Sequence, residues 1–346
     1  MSVEHPVDTP ALVERRTSLT HVAEWALSRY GLRDAQPVLL DDSTNIVFRI
    51  LPLGQQRHAG GDVTETADNA GFVLRIHAHG QHSTRAMHEE LQWLLAVRRN
   101  TVLIVPVPVP ARDGSLIQEI PLPGEPTPRQ CVLFHWVPGD FRNDTLTPND
   151  LQRVGAFMAQ LHCHADQFVA SQIPPPARRA LFCDVHAWRD APGNPVAHFS
   201  AEELAVFAAA AQRVHTTVQE LGESRDVFGF IHADLHQWNY MFHDEEVHAI
   251  DFDDCGWGYY AYDMAVTLSY LEAWTTFPAL QDAFLTGYQR VRPLPKHYVE
   301  CLDVFLAARI LVMVPWILSW PQPSHIAWGP RYLQQAVGRL RRFLER

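Results

Sequence analysis

The chain has 346 residues, of which 47% are hydrophobic, and these values are typical of a globular protein long enough for two domains. Acidic residues outnumber basic ones by 39 to 28, which gives a formal net charge of −11. This charge argues against a general nucleic-acid-binding protein and mildly favours neutral or cationic small molecules as partners.

The five cysteines are scattered without a C-x-x-C pair, which indicates reduced thiols in a cytoplasmic protein. Residues 1–17 lack the apolar core of a signal peptide. The most apolar stretch, residues 302–318, is interrupted by Asp303, Arg309 and Pro315. No membrane span is therefore predicted, and we expect the protein to act in the cytoplasm.

Strands dominate the first half of the chain. Residues 72–77 alternate, with Phe72, Leu74 and Ile76 on one face and Arg75 on the other. The elements predicted for this half are, in order, a loose arm (1–17), a helix (19–30), strands (38–40, 46–53 and 72–77), a helix (84–98), an extended linker (106–110), a hairpin turning at Asp113–Gly114, and a very apolar strand (129–137).

After Gly139 the pattern becomes helical. Pro148 follows a candidate N-cap, and Ser200 with Glu203 forms a capping box that opens another helix. The helices predicted for this half begin near residues 148, 201, 262, 278, 296 and 331.

A dense polar motif lies in the second half. It reads His232-x-Asp234-x-x-x-x-Asn239, and Asp251 follows after residues 240–250, which are predicted to form a hairpin with a polar four-residue turn. A hairpin brings its outer ends together, so Asn239 and Asp251 are expected to be neighbours, with Asp234 nearby. Two oxygen ligands beside a third carboxylate suit a Mg²⁺–phosphate site, and phosphoryl transfer needs such a base and such ligands.

This motif resembles the aminoglycoside phosphotransferase and choline kinase-like family, which has the protein-kinase-like fold. The resemblance implies a bilobal α+β protein. Residues 1–137 would form a nucleotide-binding N-lobe with an antiparallel sheet and a helix, and residues 138–346 a mainly helical, catalytic and acceptor-binding C-lobe. It further implies that Asp234 is the catalytic base, that Asn239 and Asp251 bind Mg²⁺, and that ATP is the phosphate donor.

The resemblance also assigns roles in the N-lobe. A lysine on the third strand normally grips the nucleotide phosphates and pairs with a helix glutamate. This chain has a single lysine, Lys296, which lies far along the sequence. By the resemblance, Arg75 takes the lysine's place and Glu90 is the matching glutamate; the alternative for Arg75 is an ordinary surface residue of the strand. Arginine stays charged and binds phosphate with two parallel hydrogen bonds, so the chemistry tolerates the exchange.

Two further N-lobe segments are expected to contact ATP. Ser43 and Thr44 occupy the loop that covers the phosphates, although they lack the glycines that protein kinases have there. The strand at 129–137 corresponds to the hinge, where the backbone of Phe134, His135 and Trp136 is expected to meet the adenine edge. The alternative for this strand is simple burial, and an apolar adenine slot is compatible with both.

The acceptor site has several candidates. His236 is expected to support the loop or to contact the acceptor, and Asp253 to assist the metal or bind the acceptor. Residues 255–263 stand where protein kinases keep a long activation segment, and their shortness favours a small acceptor. Trp257 and Tyr259 are candidate pocket residues because aromatic faces beside acids suit an amine or quaternary ammonium. Core packing is the alternative for both.

Other polar residues have structural interpretations. By the resemblance, Asp263 steadies the catalytic loop, and His232 packs behind it. The densest histidine cluster is His162-Cys163-His164. Its spacing on a helix points the two imidazoles to different faces, which argues against a metal site.

The sequence thus predicts a small-molecule kinase that uses ATP and Mg²⁺ to phosphorylate an aminoglycoside-, choline- or homoserine-like hydroxyl acceptor. One alternative is a protein Ser/Thr kinase of the bacterial stress-response type. Another is a nucleotide-binding regulator without transferase activity, motivated by the absent lysine and glycines. Neither nucleic acid nor membrane is an expected partner, and the sequence leaves open whether the chain forms a homodimer.

Overall fold

The computed structural model describes residues 10–42, 44–51, 71–78, 80–170, 188, 193–319 and 328–346. Contacts divide the chain into two compact units. Unit 1 consists of Met1–Gly139 and His248–Asp253, and unit 2 of Asp140–Val247 and Asp254–Arg346.

Unit 1 is built on a six-stranded antiparallel sheet with strand order β1-β2-β3-β6-β4, and β5 pairs with a further part of β6. Its elements are α1 (Pro10–Tyr30), β1 (Gln36–Asp41), β2 (Ile46–Leu51), β3 (Phe72–Ile76), α2 (Thr84–Asn100), β4 (Pro108–Val109), β5 (Gln118–Ile120) and β6 (Arg129–His135).

The alternation along β3 gives the sheet two different faces. Leu74 and Ile76 are fully buried in one cluster with Leu27 of α1, so this face packs on the helix. Arg75 lies between them in sequence and therefore points to the opposite face, where Glu90 of α2 is found. Ser83 begins α2 by accepting a hydrogen bond from the backbone N–H of Ala86.

Two expectations for this unit were wrong. Residues 10–17 are not part of a loose arm but form the first turns of α1, since Pro10 suits a first helical position and no glycine or proline follows before Gly31. A turn is present at Asp113–Gly114, where Ala111 bonds to Ser115. However, β4 and β5 do not pair with each other as a hairpin, because both pair with β6.

Unit 2 is mainly helical. Its elements are α3 (Pro148–Ala170), a 3₁₀ helix (Pro195–His198), α4 (Ala201–Leu221), β7 (Phe228–Ile231), β8 (Tyr240–His243), β9 (Glu246–Ala249, whose last two residues belong to unit 1), β10 (Gly256–Tyr259), α5 (Tyr260–Ser269), α6 (Phe277–Gln289), α7 (Tyr298–Leu318) and α8 (Gly329–Glu345). The capping box predicted at Ser200 and Glu203 is confirmed.

The predicted hairpin is the two-stranded sheet of β8 and β9. Its turn is tighter than the four residues expected, because only Asp244 and Glu245 lie between the strands. Both have positive φ, 45° and 68°, as a two-residue turn of this hand requires. Glutamate is uncommon at positive φ. The Glu245 carboxylate forms ion pairs with both Arg142 and Arg153, which help to hold the residue in this conformation.

Helix α7 is long and apolar enough by length and composition to cross a membrane. However, 78% of its most apolar window is buried inside the structure, as expected for the central helix of a domain. It packs against α4, α5 and α8, and it carries the buried charged residue Arg309 in its middle.

Helices α3 and α6 approach closely at two glycines. A Cβ atom added at Gly155 would collide with the carbonyl oxygen of Phe284, and one added at Gly287 with that of Gln152. Backbone cannot move aside as a side chain can, so a methyl group at either position would push the helices apart.

We therefore expect Gly155→Ala and Gly287→Ala each to lower the free energy of unfolding by about 1–3 kcal/mol, the usual cost of overpacking. Thermal or denaturant unfolding measures this change. Gly338→Ala in α8 is the matched control, because its nearest neighbour is an Arg342 side-chain atom at 3.8 Å, and a helical alanine there should stabilise. Unchanged stability of both α3 and α6 variants would contradict this helix contact.

Candidate active site

Unit 1 buries a charged pair on the sheet face opposite α1. Arg75 is 6% exposed, and its Nη2 donates to both carboxylate oxygens of Glu90 at 2.7 Å. The ion pair expected from the resemblance is thus present. The guanidinium also stacks on the Phe134 ring at 4.9 Å, and its Nη1 lies 3.8 Å from Asp251 Oδ1. Burial alone would lower the pKa of Arg75, but Glu90 and other nearby acids raise it, so the charge persists.

Two aspartates accompany this pair. The Asp251 side chain is 45% exposed, and its backbone has a left-handed φ of 63°. The Asp253 side chain is 9% exposed, and it accepts a hydrogen bond from Asn45 Nδ2 at 2.8 Å, with His82 Nε2 at 3.5 Å. Burial would raise the pKa of Asp253, but His82 and Arg75 outweigh it and hold the pKa far below its usual range. Unit 1 therefore brings together four charged residues that sequence analysis singled out.

Asn45 was missed as a site residue. Besides its bond to Asp253, its Oδ1 accepts the backbone N–H of Ala78 at 3.0 Å, so it ties the start of β2 to the end of β3. The signal available was an asparagine beside the predicted phosphate loop. Of that loop, Ser43 lies outside the described residues, and Thr44 is half-buried.

The expected hinge residues sit at the end of β6. Phe134 is buried, while the N–H of His135 donates to Val107 at 2.9 Å and that of Trp136 to Gly71 at 3.1 Å. Those two donors are thus used inside the unit. Backbone contacts of His135 and Trp136 with a nucleobase would therefore have to use their carbonyl oxygens. The Trp136 ring also carries the Arg49 guanidinium at 4.1 Å.

In unit 2, a buried aspartate fixes the loop that carries Asp234. The carboxylate of Asp263 accepts the backbone N–H of His232 at 3.2 Å and that of Ala233 at 2.8 Å. Ala233 has a left-handed φ of 68°, which a non-glycine residue adopts only when its surroundings hold it there. His162 Nε2 bonds to the same carboxylate at 3.0 Å.

Asp234 is held by the groups around it. Asn239 Nδ2 donates to its backbone oxygen at 2.9 Å and to its Oδ2 at 3.2 Å, and His236 Nε2 lies 3.4 Å from Oδ2. Arg309 Nη2 donates to Oδ1. Burial would raise the pKa of Asp234, but His236 and Arg309 reverse the effect and lower it well below its ordinary value. The carboxylate is therefore ionised and acts as an acceptor at neutral pH.

Asn239 in unit 2 and Asp251 in unit 1 each carry an oxygen of the type that a hard divalent cation binds. Because Asn239 turns its amide nitrogen toward Asp234, its Oδ1 is directed away, and it accepts no hydrogen bond from the described residues. Amide and carboxylate oxygens such as those of Asn239 and Asp251 are the ligands that Mg²⁺ binds. The residue types thus fit the cofactor that the sequence predicted.

Arg309 was the largest omission of the sequence analysis, which treated it only as an interruption of an apolar run. The sequence feature that could have identified Arg309 is its place as a charged residue within an apolar helix. A buried charge needs a partner inside the protein, so such a residue points to a polar site. The partner here is the proposed catalytic carboxylate.

The aromatic candidates have different surroundings. Trp257 is half-buried and stacks on Phe228 with ring centroids 5.7 Å apart. Tyr259 is only 3% exposed and packs against Phe228 and Phe305, so its position is that of a core residue rather than a pocket wall. More exposed rings adjoin Asp234: His236 contacts Trp238 and Tyr270 at 5.5 and 4.8 Å.

The histidine behind the loop makes stability depend on pH. His162 is fully buried between Asp263 and the Tyr288 hydroxyl, and burial lowers its pKa more strongly than Asp263 raises it. An unfolded histidine takes up a proton near pH 6.5. Below that pH, His162 is protonated in the unfolded chain but not in the folded protein, so a lower pH favours unfolding.

We expect the free energy of unfolding to decrease as the pH falls from about 6.5 to 5, with a His162 contribution of up to about 1.4 kcal/mol per pH unit. His162→Gln should flatten this slope, whereas His215→Gln, an exposed position on α4, should leave it unchanged. Denaturant unfolding at several pH values measures the slope. Equal slopes for wild type and His162→Gln would contradict the assignment.

Comparisons with known proteins show the family and the fold. The model of the phosphotransferase enzyme family (APH) matches residues 62–297. Homoserine kinase from Acidiphilium cryptum is 28% identical over 75% of this chain and 80% of its own length. The structure of a microcompartment-associated aminopropanol kinase aligns with TM-score 0.75 and 27% identity over 94% of this chain and 97% of that one. An amicoumacin kinase in complex with AMP-PNP and Ca²⁺ aligns with TM-score 0.74 and 18% identity over 95% and 96%.

Proposed function

Because this chain belongs to the phosphotransferase enzyme family and is a small-molecule kinase with the protein-kinase-like α+β fold, we propose that it transfers the γ-phosphate of ATP to an aminoglycoside-, choline- or homoserine-like alcohol. The observation that carries the proposal is the Asp234 carboxylate, which is ionised and oriented by its neighbours on a loop held by Asp263. Such a group can accept a proton from an alcohol and aim its oxygen at phosphorus.

In this proposal the residues of unit 2 act on the acceptor. Asp234 accepts a hydrogen bond from the acceptor hydroxyl, aligns its oxygen for attack on the γ-phosphorus and takes up the hydroxyl proton. As the new bond forms, the bond from that phosphorus to the bridging oxygen breaks and ADP leaves. Asn239 holds the Asp234 side chain through Nδ2 and offers Oδ1 to the metal. His236 fixes the loop through its contact with Asp234 and borders the acceptor.

Residues of unit 1 hold the donor. Arg75, fixed by Glu90, binds phosphate oxygens of ATP, while Asp251 is a metal ligand and Asp253 supports it. Ser43 and Thr44 cover the phosphates, and Phe134, His135 and Trp136 border the adenine. Mg²⁺, when bound, neutralises charge on the phosphates during transfer. We propose accordingly that residues 1–137 form the nucleotide-binding lobe and residues 138–346 the catalytic and acceptor-binding lobe.

A small, cationic acceptor is favoured over a protein. Only β10 separates the Asp251–Cys255 segment from α5, which leaves no long platform for a polypeptide. Two of the similar proteins are named as kinases of aminopropanol and homoserine, which are small alcohols that carry an amine. In this chain the aromatic rings of Trp238 and Tyr270, which can attract a cation, lie beside the loop that carries Asp234. The four described cysteines are free thiols, which supports a cytoplasmic setting.

The direct test is transfer of radiolabel from γ-labelled ATP with Mg²⁺. Homoserine, 1-amino-2-propanol, choline and an aminoglycoside would be offered separately, and a generic protein acceptor in parallel. We expect label on at least one small alcohol and none on protein. Label on protein alone would favour the stress-response kinase alternative, and ATP binding without any turnover would favour the non-catalytic regulator.

A further inference from the structure

Arg309 occupies an unusual position for a charged residue. It is 6% exposed in the middle of α7, between the buried residues Ala308 and Ile310. Burying a guanidinium costs several kcal/mol unless hydrogen bonds and an opposite charge compensate for the lost water. An arginine at this place is therefore expected to make a specific interaction with a partner of opposite charge.

The compensation comes from the proposed catalytic loop. Arg309 Nη2 donates to Asp234 Oδ1 and to the Tyr270 hydroxyl at 3.1 Å, and the guanidinium carbon lies 5.7 Å from the Tyr270 ring centre. Tyr270 in turn touches His236. One guanidinium thus joins the base, the residue at the end of α5 and, through it, a second residue of the loop.

The two oxygens of Asp234 have unlike partners. Oδ1 has the charged, buried donor, whereas the contacts of Oδ2 within the described part of the chain are Asn239 Nδ2 at 3.2 Å and His236 Nε2 at 3.4 Å. Arg309 brings a full positive charge to its hydrogen bond with the carboxylate, whereas Asn239 donates from a neutral amide, and a hydrogen bond between two charged groups is the stronger of the two. An incoming hydroxyl would therefore exchange with the contacts at Oδ2 more readily than with Arg309 at Oδ1.

We propose that Arg309 is a positioning residue for phosphate transfer: it fixes the rotation of the Asp234 carboxylate through Oδ1 and leaves Oδ2 for the acceptor hydroxyl. This inference rests on the function proposed above. Arg309 lies in α7, beyond residues 62–297, which match the family model. An arginine suits the role because it keeps its charge at any working pH and its planar fork fixes direction.

The test compares Arg309→Ala and Arg309→Lys with wild type, using whichever alcohol of the panel accepts phosphate, and ATP hydrolysis by water if none does. We expect kcat to fall about 10- to 100-fold in Arg309→Ala, as for loss of one charge-assisted hydrogen bond, with KM for ATP unchanged. Added ethylguanidinium should restore part of kcat in Arg309→Ala but none in Asp234→Asn. Arg309→Lys should retain more activity than Arg309→Ala, since it keeps the charge without the fork.

The matched control is Arg292→Ala, which removes another arginine paired with an aspartate, Asp166, in the same unit. It should lower stability without changing kcat per folded molecule. Wild-type kcat in Arg309→Ala, or a loss that ethylguanidinium does not reverse, would overturn the positioning role. If Arg309→Ala does not fold, wild-type kcat in Arg309→Lys would overturn it. A wild-type protein that transfers phosphate neither to an alcohol nor to water would refute the proposed function itself.

Discussion

Replacement of Asp234 by asparagine is expected to reduce kcat for phosphate transfer by about 10²- to 10⁴-fold, the usual contribution of a general base. The amide keeps the size of the side chain but cannot take up the acceptor proton, and it presents a donor where the hydroxyl needs an acceptor. The measurement is steady-state transfer from Mg-ATP, expressed per folded molecule, because the buried Arg309 loses its charged partner and stability should fall as well.

Asp244→Asn is the matched control for this experiment. It makes the same chemical change in the turn between β8 and β9, where the side chain is 91% exposed. Asparagine also tolerates the positive φ at that position. We expect wild-type kcat there. An Asp234→Asn enzyme with kcat within a few-fold of wild type would mean that another group accepts the proton.

Replacement of Arg75 by methionine should damage both stability and nucleotide binding. Glu90, which is 2% exposed, would be left buried without its partner, and breaking a buried pair costs about 3–5 kcal/mol. Loss of the guanidinium should also weaken binding of AMP-PNP with Mg²⁺ by at least about tenfold, the value of one charge-assisted hydrogen bond. Denaturant unfolding and titration calorimetry measure the two effects separately.

A double variant separates the structural from the functional effect. Arg75→Met combined with Glu90→Met replaces the pair by apolar side chains, which often restores stability. We expect the double variant to recover much of the unfolding free energy while nucleotide binding remains weak. Recovery of nucleotide affinity together with stability would show that Arg75 only holds α2 and does not bind phosphate.

An exposed pair on the same helix provides the comparison. Arg85 and Glu89 form an ion pair at 2.8 Å, but the Arg85 side chain is 54% exposed. Surface pairs of this kind contribute about 0–1 kcal/mol. Arg85→Met should therefore change stability little and leave nucleotide binding intact, although it removes a guanidinium from α2 as Arg75→Met removes one from β3.

The motif residues could be predicted because their chemistry is contiguous in the chain. His232 to Asp251 spans one loop and one hairpin, and the resemblance carried by that stretch led to the protein-kinase-like fold, which is confirmed. The capping box at Ser200 was equally local. Sequence patterns whose residues lie close together in the chain can be recognised without knowledge of the tertiary structure.

Contacts between residues far apart in the chain could not be predicted from the sequence. Arg309 meets Asp234 across 75 residues, and Asn45 meets Asp253 across 208, so neither pairing leaves a spacing pattern. The pairing of β4 and β5 with β6 depended on which edges were open in three dimensions. The acceptor also stays a proposal, because aromatic side chains have the same sequence signature in a core, as Tyr259 shows, and in a pocket.

The arginine at position 75 has a practical consequence. On the proposed role of Arg75, a reagent that tags kinases by acylating the third-strand lysine meets a guanidinium instead of an amine. The chain's single lysine, Lys296, lies exposed between α6 and α7. By the same proposal, a chemical survey of cell extracts that relies on acylation of that strand lysine would not label this enzyme at position 75. Conversely, a lone ε-amino group offers one defined side-chain position for attaching a dye or a resin.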